Sequence, residues 1–328
     1  MTDVCSRLAI DIGGTNIRLG LLEQDSLVPQ QIGSYRIDDF TGLADVIGLY
    51  FEQVSASGVQ DVSVAVATPV VGDRVKLTNH DWNFSIRETY QQFGFRRLKV
   101  VNDFTALALS IPWLRPDELE LVGGGEPDEK GAIALLGPGT GLGVSGLVQA
   151  GDGYFPLSGE GGHVSLGARN ARELAVFNAF LAKYGHMSAE RLLSGTGLTE
   201  FYQILRQLDG LDTEALRAEE ISARALDASC ATCVEVMALF CEWLGIVASN
   251  LVLTLGATGG LYIGGGIVPK LGDYFIRSGF REQFERKGRF STLMQQVPAY
   301  VINAEQPALR GAAYALEPRF DGLGVICA

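Results

Sequence analysis

The chain has 328 residues, 47% of them apolar, which is long enough to bury a sizeable core and too apolar for a disordered chain. Its 26 basic and 38 acidic residues leave a net charge of −12, so neither nucleic acid nor an anionic membrane is expected as a main partner, since both need a basic face. Glycine supplies 41 residues, well above the roughly 7% that is usual, and it clusters without a collagen period.

In chain order, Leu8 to Asp11 reads as a short apolar strand, Gly13 to Thr15 as a turn, and Ile17 to Leu22 as the second arm of a hairpin. Leu43, Val46, Ile47, Tyr50, Phe51 and Val54 recur with helical spacing. Val62 to Ala67 reads as a strand. Ser85 with Glu88 three residues on marks a helix start. Leu98 to Val101 is another strand, with Asp103 opening a helix through Leu109. Pro112 and Pro116 punctuate the chain and suggest a domain boundary.

Beyond it, Ala132 to Leu136 reads as a strand, Gly137 to Gly143 as a glycine turn, and Val144 to Val148 as a strand. Set side by side, AIDIGGTNIRLGLL and IALLGPGTGLGVSGLV share one strand, glycine-threonine turn, strand pattern, which suggests an internal duplication. The remainder reads as mostly helical. Asn170 and Glu173 open a helix carrying Leu174, Phe177, Leu181 and Tyr184, closed by Gly185. A long buried helix is expected from Cys233 to about Leu255, a strand over Leu261 to Ile263, and a last helix from Pro307 to Leu316.

The glycine turns carry the chemistry. Ile10, Asp11, Ile12, Gly13, Gly14 and Thr15 form a strand end and turn whose N–H groups and hydroxyl suit phosphate oxygens. Asp11 could hold Mg²⁺ through water. The same residues also suit an ordinary tight hairpin. Gly141, Gly143 and Gly146 fit a dinucleotide G-x-G-x-x-G spacing, but VSGLVQA follows where that motif needs a helix. Gly139, Thr140 and Gly141 read better as a second phosphate turn, and Gly264, Gly265 and Gly266 suit close approach of an adenine ring or ribose, or a tightly packed strand-to-helix turn.

Together LAIDIGGTNIRLGLL, TNHDWNFSI, VVNDFTAL, GPGTGLGV, GEGGHVSL, GHMSAERLLSGTGL and LYIGGGIVP resemble the bacterial glucokinase family, over about residues 8 to 316. The cysteine-rich zinc motif of the repressor–kinase (ROK) branch is missing. The resemblance implies an α/β actin-like ATPase (ribonuclease H-like) fold of two domains flanking a cleft. Residues 1–112 plus 303–328 would form the smaller domain and 113–302 the larger. It implies transfer of the ATP γ-phosphoryl group to the 6-hydroxyl of glucose, with Mg²⁺, in a homodimer.

The resemblance further implies that Asp103 takes the proton of the sugar 6-hydroxyl and that Asn102 holds neighbouring hydroxyls, with Glu160, His163 and Glu190 completing the sugar site and Asn79 near it. Residue types alone leave alternatives: Asp103 could cap a helix, and Glu190 could be the acidic first turn of one. A kinase for another hexose, a sugar-responsive regulator and a nucleotide-driven polymer are the rival readings. The regulator lacks a helix-turn-helix segment, and the polymer has no need of Glu160 and His163.

Cys230-x-x-Cys233 invites a zinc or redox reading, but no second pair or nearby His accompanies it, and Cys233, Met237, Cys241 and Leu244 share a helical stripe typical of core thiols. No secretory signal is legible, and the uncharged stretch from Gly245 to Pro269 is too rich in Gly, Ser, Asn and Thr to span a bilayer well. With five irregularly spaced cysteines, a cytoplasmic setting is expected.

Overall fold

The computed structural model describes residues 7–23, 26–78, 80–151 and 153–327. Contacts divide the chain into two units. The first takes residues through Leu114, Ala150–Ser158 and everything from Ala304; the second takes Arg115–Gln149 and Gly159–Asn303.

The first unit opens with β1 (Arg7–Ile12), β2 (Asn16–Leu22), β3 (Gln30–Arg36), α1 (Leu43–Val54) and β4 (Asp61–Val66). β4 is buried at all six positions, the mark of a strand covered on both faces. In α1, Leu43, Val46, Ile47 and Tyr50 form the buried stripe, and Ser55 ends the helix in a left-handed conformation. A small hairpin of β5 (Arg74–Lys76) and β6 (Asn83–Ser85) leads into α2 (Ile86–Phe93). The Ser85 hydroxyl caps α2 by accepting the Glu88 amide at 3.0 Å. β7 (Arg97–Asn102) then runs directly into α3 (Asp103–Ser110).

The second unit carries β8 (Leu119–Gly123), β9 (Ile133–Pro138) and β10 (Leu142–Ala150). Gly137 and Pro138 lie inside β9, because Gly137 pairs with Gly143 and Pro138 with Leu142. The glycine turn expected over Gly137–Gly143 is therefore only Gly139 to Gly141. β11 (Gly153–Gly159) follows, assigned to the first unit through Ser158, in a region read from sequence as mostly helical. α4 (Ala171–Tyr184) is capped by Asn170 and closed by Gly185 as expected. It buries Val176, Phe177 and Phe180, while Leu174 and Leu181 are exposed, so its inward face is rotated from the expected one.

Next come α5 (Ala189–Leu192), α6 (Gly195–Leu208), α7 (Ala218–Leu226) and α8 (Ala231–Leu255). α8 organises the core: Cys233, Met237, Phe240, Cys241 and Leu244 are fully buried. It is long and apolar enough to cross a membrane, yet 61% of its most apolar stretch is buried in the protein. β12 (Leu261–Ile263), the short helices α9 (Val268–Leu271), α10 (Asp273–Ile276), α11 (Phe280–Glu285) and α12 (Ser291–Gln296), and β13 (Ala299–Ile302) complete the unit.

The chain returns to the first unit with α13 (Pro307–Tyr314) and β14 (Val325–Cys327). α13 packs on α3 so closely at Gly311 that a Cβ there would lie 1.6 Å from the Ala106 carbonyl oxygen.

The first sheet has the order β14–β7–β4–β1–β2–β3. β1, β4 and β7 run parallel to one another, β2 is antiparallel to β1, and β14 is antiparallel to β7. Within the second unit the order is β10–β9–β12–β13–β8, with the same succession: antiparallel, parallel, parallel, antiparallel. The repeated hairpin of the sequence is thus the first piece of a repeated sheet. The fold is mixed α/β.

Candidate active site

In the first unit, β1, β4 and β7 end side by side, since Ile12 pairs with Val66 and Val66 with Asn102. The Asp11–Thr15 segment and the Asn102–Asp103 pair therefore leave the same, carboxyl edge of the parallel strands, where ligands of α/β sheets bind. The turn is held by Gly13 N–H donating to the Asn16 carbonyl at 3.0 Å and Ile37 N–H donating to the Thr15 carbonyl at 3.0 Å. Gly14 and Thr15 are exposed, and Asp11 is buried.

Asp11 faces Arg18, its register partner on β2, which donates to its Oδ2 from 3.4 Å. Burial pushes the Asp11 carboxyl above the usual carboxylate range, and Arg18 pulls it part of the way back. Arg18 was not singled out in the sequence. Its signal is its pairing with Asp11 across a hairpin whose turn is Gly13–Thr15.

At the end of β7 the two candidates divide the work. Asn102 caps α3: its Oδ1 accepts the amides of Phe104 at 2.9 Å and Thr105 at 3.2 Å, and its Nδ2 donates to the Thr68 carbonyl at 3.4 Å. The helix cap considered for Asp103 thus belongs to Asn102. Asp103 is the first helical residue, half-buried, with its Oδ1 accepting the Phe104 amide at 2.9 Å. Its helix is tied to β11 by the hydroxyls of Thr105 and Ser158, 3.0 Å apart. Asn79 lies outside the described residues.

In the second unit, Glu160, His163 and Glu190 are brought together by two neighbouring segments. Ala189 N–H donates to the Val164 carbonyl at 2.9 Å, Leu166 N–H donates to the Met187 carbonyl at 3.1 Å, and Ser165 and Ser188 form a β-bridge. Glu160 and His163 are both more than half exposed, with His163 Nε2 3.9 Å from Glu160 Oε2. Glu190 sits in the first turn of α5 and reaches the second glycine turn, where its Oε2 accepts the Leu142 amide at 2.9 Å.

That turn, Gly139 to Gly141, closes on itself through Gly139 N–H and the Gly141 carbonyl at 2.8 Å. It is anchored by Gly195 N–H donating to the Gly139 carbonyl at 2.9 Å. Ser194 caps α6 there by accepting the Gly197 amide at 3.1 Å. The run Ser194-Gly195-Thr196-Gly197 is an addition to the candidates, and its signal is a capping serine inside a glycine-threonine cluster.

Gly264 and Gly265 have a clear packing role. A Cβ on Gly265, whose φ is +79°, would lie 2.3 Å from the Pro138 carbonyl oxygen, so the end of β9 lies directly against this strand end. Gly266 has open space around its Cβ position and is exposed. Among the described residues no three His, Cys, Asp or Glu side chains gather as a metal cage.

The fold is that of sugar kinases. A glucokinase structure from an Antarctic psychrotroph superposes with a TM-score of 0.85 at 35% identity, covering 95% of this chain and 98% of that one. A ROK-family glucokinase from Streptomyces griseus, in complex with glucose and AMPPNP, shares the fold at a TM-score of 0.62 and 18% identity, with 94% and 98% covered. In sequence, a glucokinase from Aromatoleum aromaticum is 50% identical over 322 residues, 98% of this chain and 97% of that protein. The family model described as glucokinase matches residues 8–319. The chain belongs to the glucokinase family.

Proposed function

We propose that this protein is a glucokinase that transfers the γ-phosphoryl group of ATP to the 6-hydroxyl of glucose, giving glucose 6-phosphate and ADP. The observation that carries the reading is the family match over residues 8–319, joined to a sheet edge where Asp103 and the Asp11–Thr15 turn emerge together. Glucose and AMPPNP in the Streptomyces griseus protein support the pairing of sugar and nucleotide.

Phosphoryl transfer to an alcohol requires an aligned hydroxyl, a group to take its proton and stabilisation of charge on the phosphates. We assign the proton to Asp103. One feature supports this: the strand-to-helix junction holds its backbone at the carboxyl edge of the sheet, beside the Asp11–Thr15 turn. Glu160, His163 and Glu190 are assigned to the sugar hydroxyls, for which carboxylates accept and an imidazole donates or accepts. The Gly139–Gly141 and Gly13–Thr15 turns are assigned to the phosphates, and Gly264–Gly266 to the nucleoside.

Mg²⁺ usually keeps several waters and takes one or two carboxylates plus substrate phosphates. A single buried carboxylate beside an exposed turn, as at Asp11, fits that donor set. Bound with the nucleotide, Mg²⁺ would supply neutralisation of charge on the phosphates. Asp11 would orient its water shell, and Arg18 would fix the Asp11 rotamer.

The two contact units are proposed to act as the small and large domains of an actin-like ATPase, closing on the sugar and excluding water. A homodimer in the cytoplasm is the expected setting. Release of ADP measured against a panel of hexoses tests the function. Glucose should give the highest kcat/KM. A preference for mannose or an N-acetylated amino sugar, or ADP release independent of any sugar, would overturn the reading.

A further inference from the structure

A cavity of about 600 Å³ opens in the second unit, within the roughly 300–1,000 Å³ usual for small-molecule sites. The start of α4, one face of α8, and α11 with the residues just after it form its walls. Leu239, Glu242 and Ile246 stand three and four residues apart on α8, so they share that face. Leu239 and Ile246, both half-buried, give the cavity an apolar floor. The two carboxylates of the wall are already engaged: Arg169 donates to Glu173 Oε1 at 2.9 Å and to Glu242 Oε2 at 2.7 Å.

The α11 side is different. Gln283 is only 8% exposed, yet its side chain lines the cavity and makes no hydrogen bond among the described residues. Buried amides normally have partners, and one left without them costs free energy. Arg286 and Lys287 line the same wall, and neither forms an ion pair among the described residues. Lys287 Nζ donates to the Asn250 side-chain oxygen at 2.5 Å, and burial holds its ammonium below the ordinary lysine value. The nearby Glu285 carboxylate is taken by Arg281 at 2.5 Å.

We propose that this cavity binds a small phosphate monoester, with its phosphate on Arg286, Lys287 and the Gln283 amide and its apolar body on Leu239 and Ile246. A dianion matches the two cations, and three donor groups suit three terminal oxygens, one more than a carboxylate offers. Such an anion gives the Gln283 amide an acceptor and offsets the burial of Lys287. The apolar floor favours an organic phosphate over the free ion. The cavity shares no residue with those assigned to glucose and ATP.

The test uses the full chain and phenyl phosphate, a phosphate monoester with an apolar body, followed by titration calorimetry. Saturable binding with a Kd below about 1 mM is expected. Arg286→Ala and Lys287→Ala should each weaken it roughly tenfold or more, the scale of a charged hydrogen bond, and Gln283→Leu should weaken it as well. Inorganic phosphate and benzoate should each bind at least roughly tenfold more weakly than phenyl phosphate, the first for want of the apolar body and the second for want of the third oxygen. Native circular dichroism and unchanged sugar-dependent ADP release in the Arg286 and Lys287 variants separate loss of the site from loss of the fold. Should Gln283→Leu fail to fold, those two variants decide. The proposal is overturned if phenyl phosphate shows no saturable binding, or if its binding survives the Arg286 and Lys287 substitutions, which would place it elsewhere, such as at the glycine turns. It is equally overturned if a folded Gln283→Leu binds as wild type does, or if inorganic phosphate or benzoate binds as tightly as phenyl phosphate.

Discussion

Glu190 Oε2 accepts the Leu142 amide at 2.9 Å, which ties a carboxylate assigned to the sugar to the first residue of the strand that leaves the Gly139–Gly141 turn. On the assignments proposed above, one side chain would bear on both substrates. Glu190→Ala removes the acceptor and leaves the amide to find another, so KM should rise for both glucose and ATP. Glu190→Gln keeps an acceptor for Leu142 and loses the charge, so KM for glucose should rise while that for ATP stays near wild type. A charged hydrogen bond of about 1.5–3 kcal/mol sets the glucose effect at roughly tenfold or more. Steady-state kinetics on the two variants check this, and equal ATP effects in both would remove the positioning role.

Asp11 is expected to trade stability for activity. Its carboxyl is raised by burial, so between its ordinary value of 3.8 and the raised value the folded state binds more protons than the unfolded one. Stability from this group therefore falls as pH rises through that window, so at neutral pH burying this carboxyl is a net cost. Asp11→Asn should raise Tm at pH 7, with a gain that shrinks as pH approaches 4. Turnover with MgATP should fall about a hundredfold, the scale of one lost electrostatic contact at a phosphate, while glucose binding without nucleotide is unchanged. A lower Tm at pH 7 would show that the Arg18 pair outweighs the burial.

Lys99 gives a second pH signature, far from neutrality. It is fully buried in β7, donating from Nζ to the Ala315 carbonyl at 2.9 Å and to the Phe320 carbonyl. Burial lowers its pKa from 10.5 to about 8, outweighing the attraction of Asp321. Between pH 8 and 10.5 the unfolded chain holds the proton that the folded chain has lost, so stability from this group rises with pH. Wild type should therefore gain on Lys99→Met by an amount on the order of 3 kcal/mol across that interval. Paired denaturant titrations at pH 7.5 and 10 check it; a difference that does not change with pH would contradict it.

Periodic and punctuated segments were legible in the sequence. The β1–β2 hairpin, α1, the Ser85 and Asn170 caps and the buried stripe of α8 follow from local patterns that the tertiary structure reinforces. The weak signals were strands without alternation or with glycine and proline in them. β3 is exposed along most of its length, β11 is GYFPLSG, and Gly137 and Pro138 are held in β9 only by their partners on β10. The buried face of α4 is ambiguous in sequence, because Leu174 and Leu181 fit helical spacing as well as Val176 and Phe180 do. At the site, residue types and motifs named the candidates, but their division of labour was not readable. That Asn102 rather than Asp103 caps α3, that Glu190 reaches the Leu142 amide, and that Gly265 packs against Pro138 depend on contacts from other segments or on the exact helix start.

Asp103 is the proposed proton acceptor, and Asp103→Asn separates that role from a purely structural one. Asn keeps the shape and the hydrogen-bonding capacity toward the Phe104 amide and the sugar hydroxyl, but is a far weaker base. Because Asn102 provides the cap, the substitution should leave α3 and Tm intact. A positioned base contributes about 10² to 10⁴ in rate. The expected result, from titration calorimetry for glucose and a coupled ADP assay on one preparation, is a kcat at least about a hundredfold lower with glucose affinity changed by no more than roughly 1–2 kcal/mol. A folded variant retaining more than about a tenth of wild-type turnover would contradict it, since that loss is well short of what a base supplies.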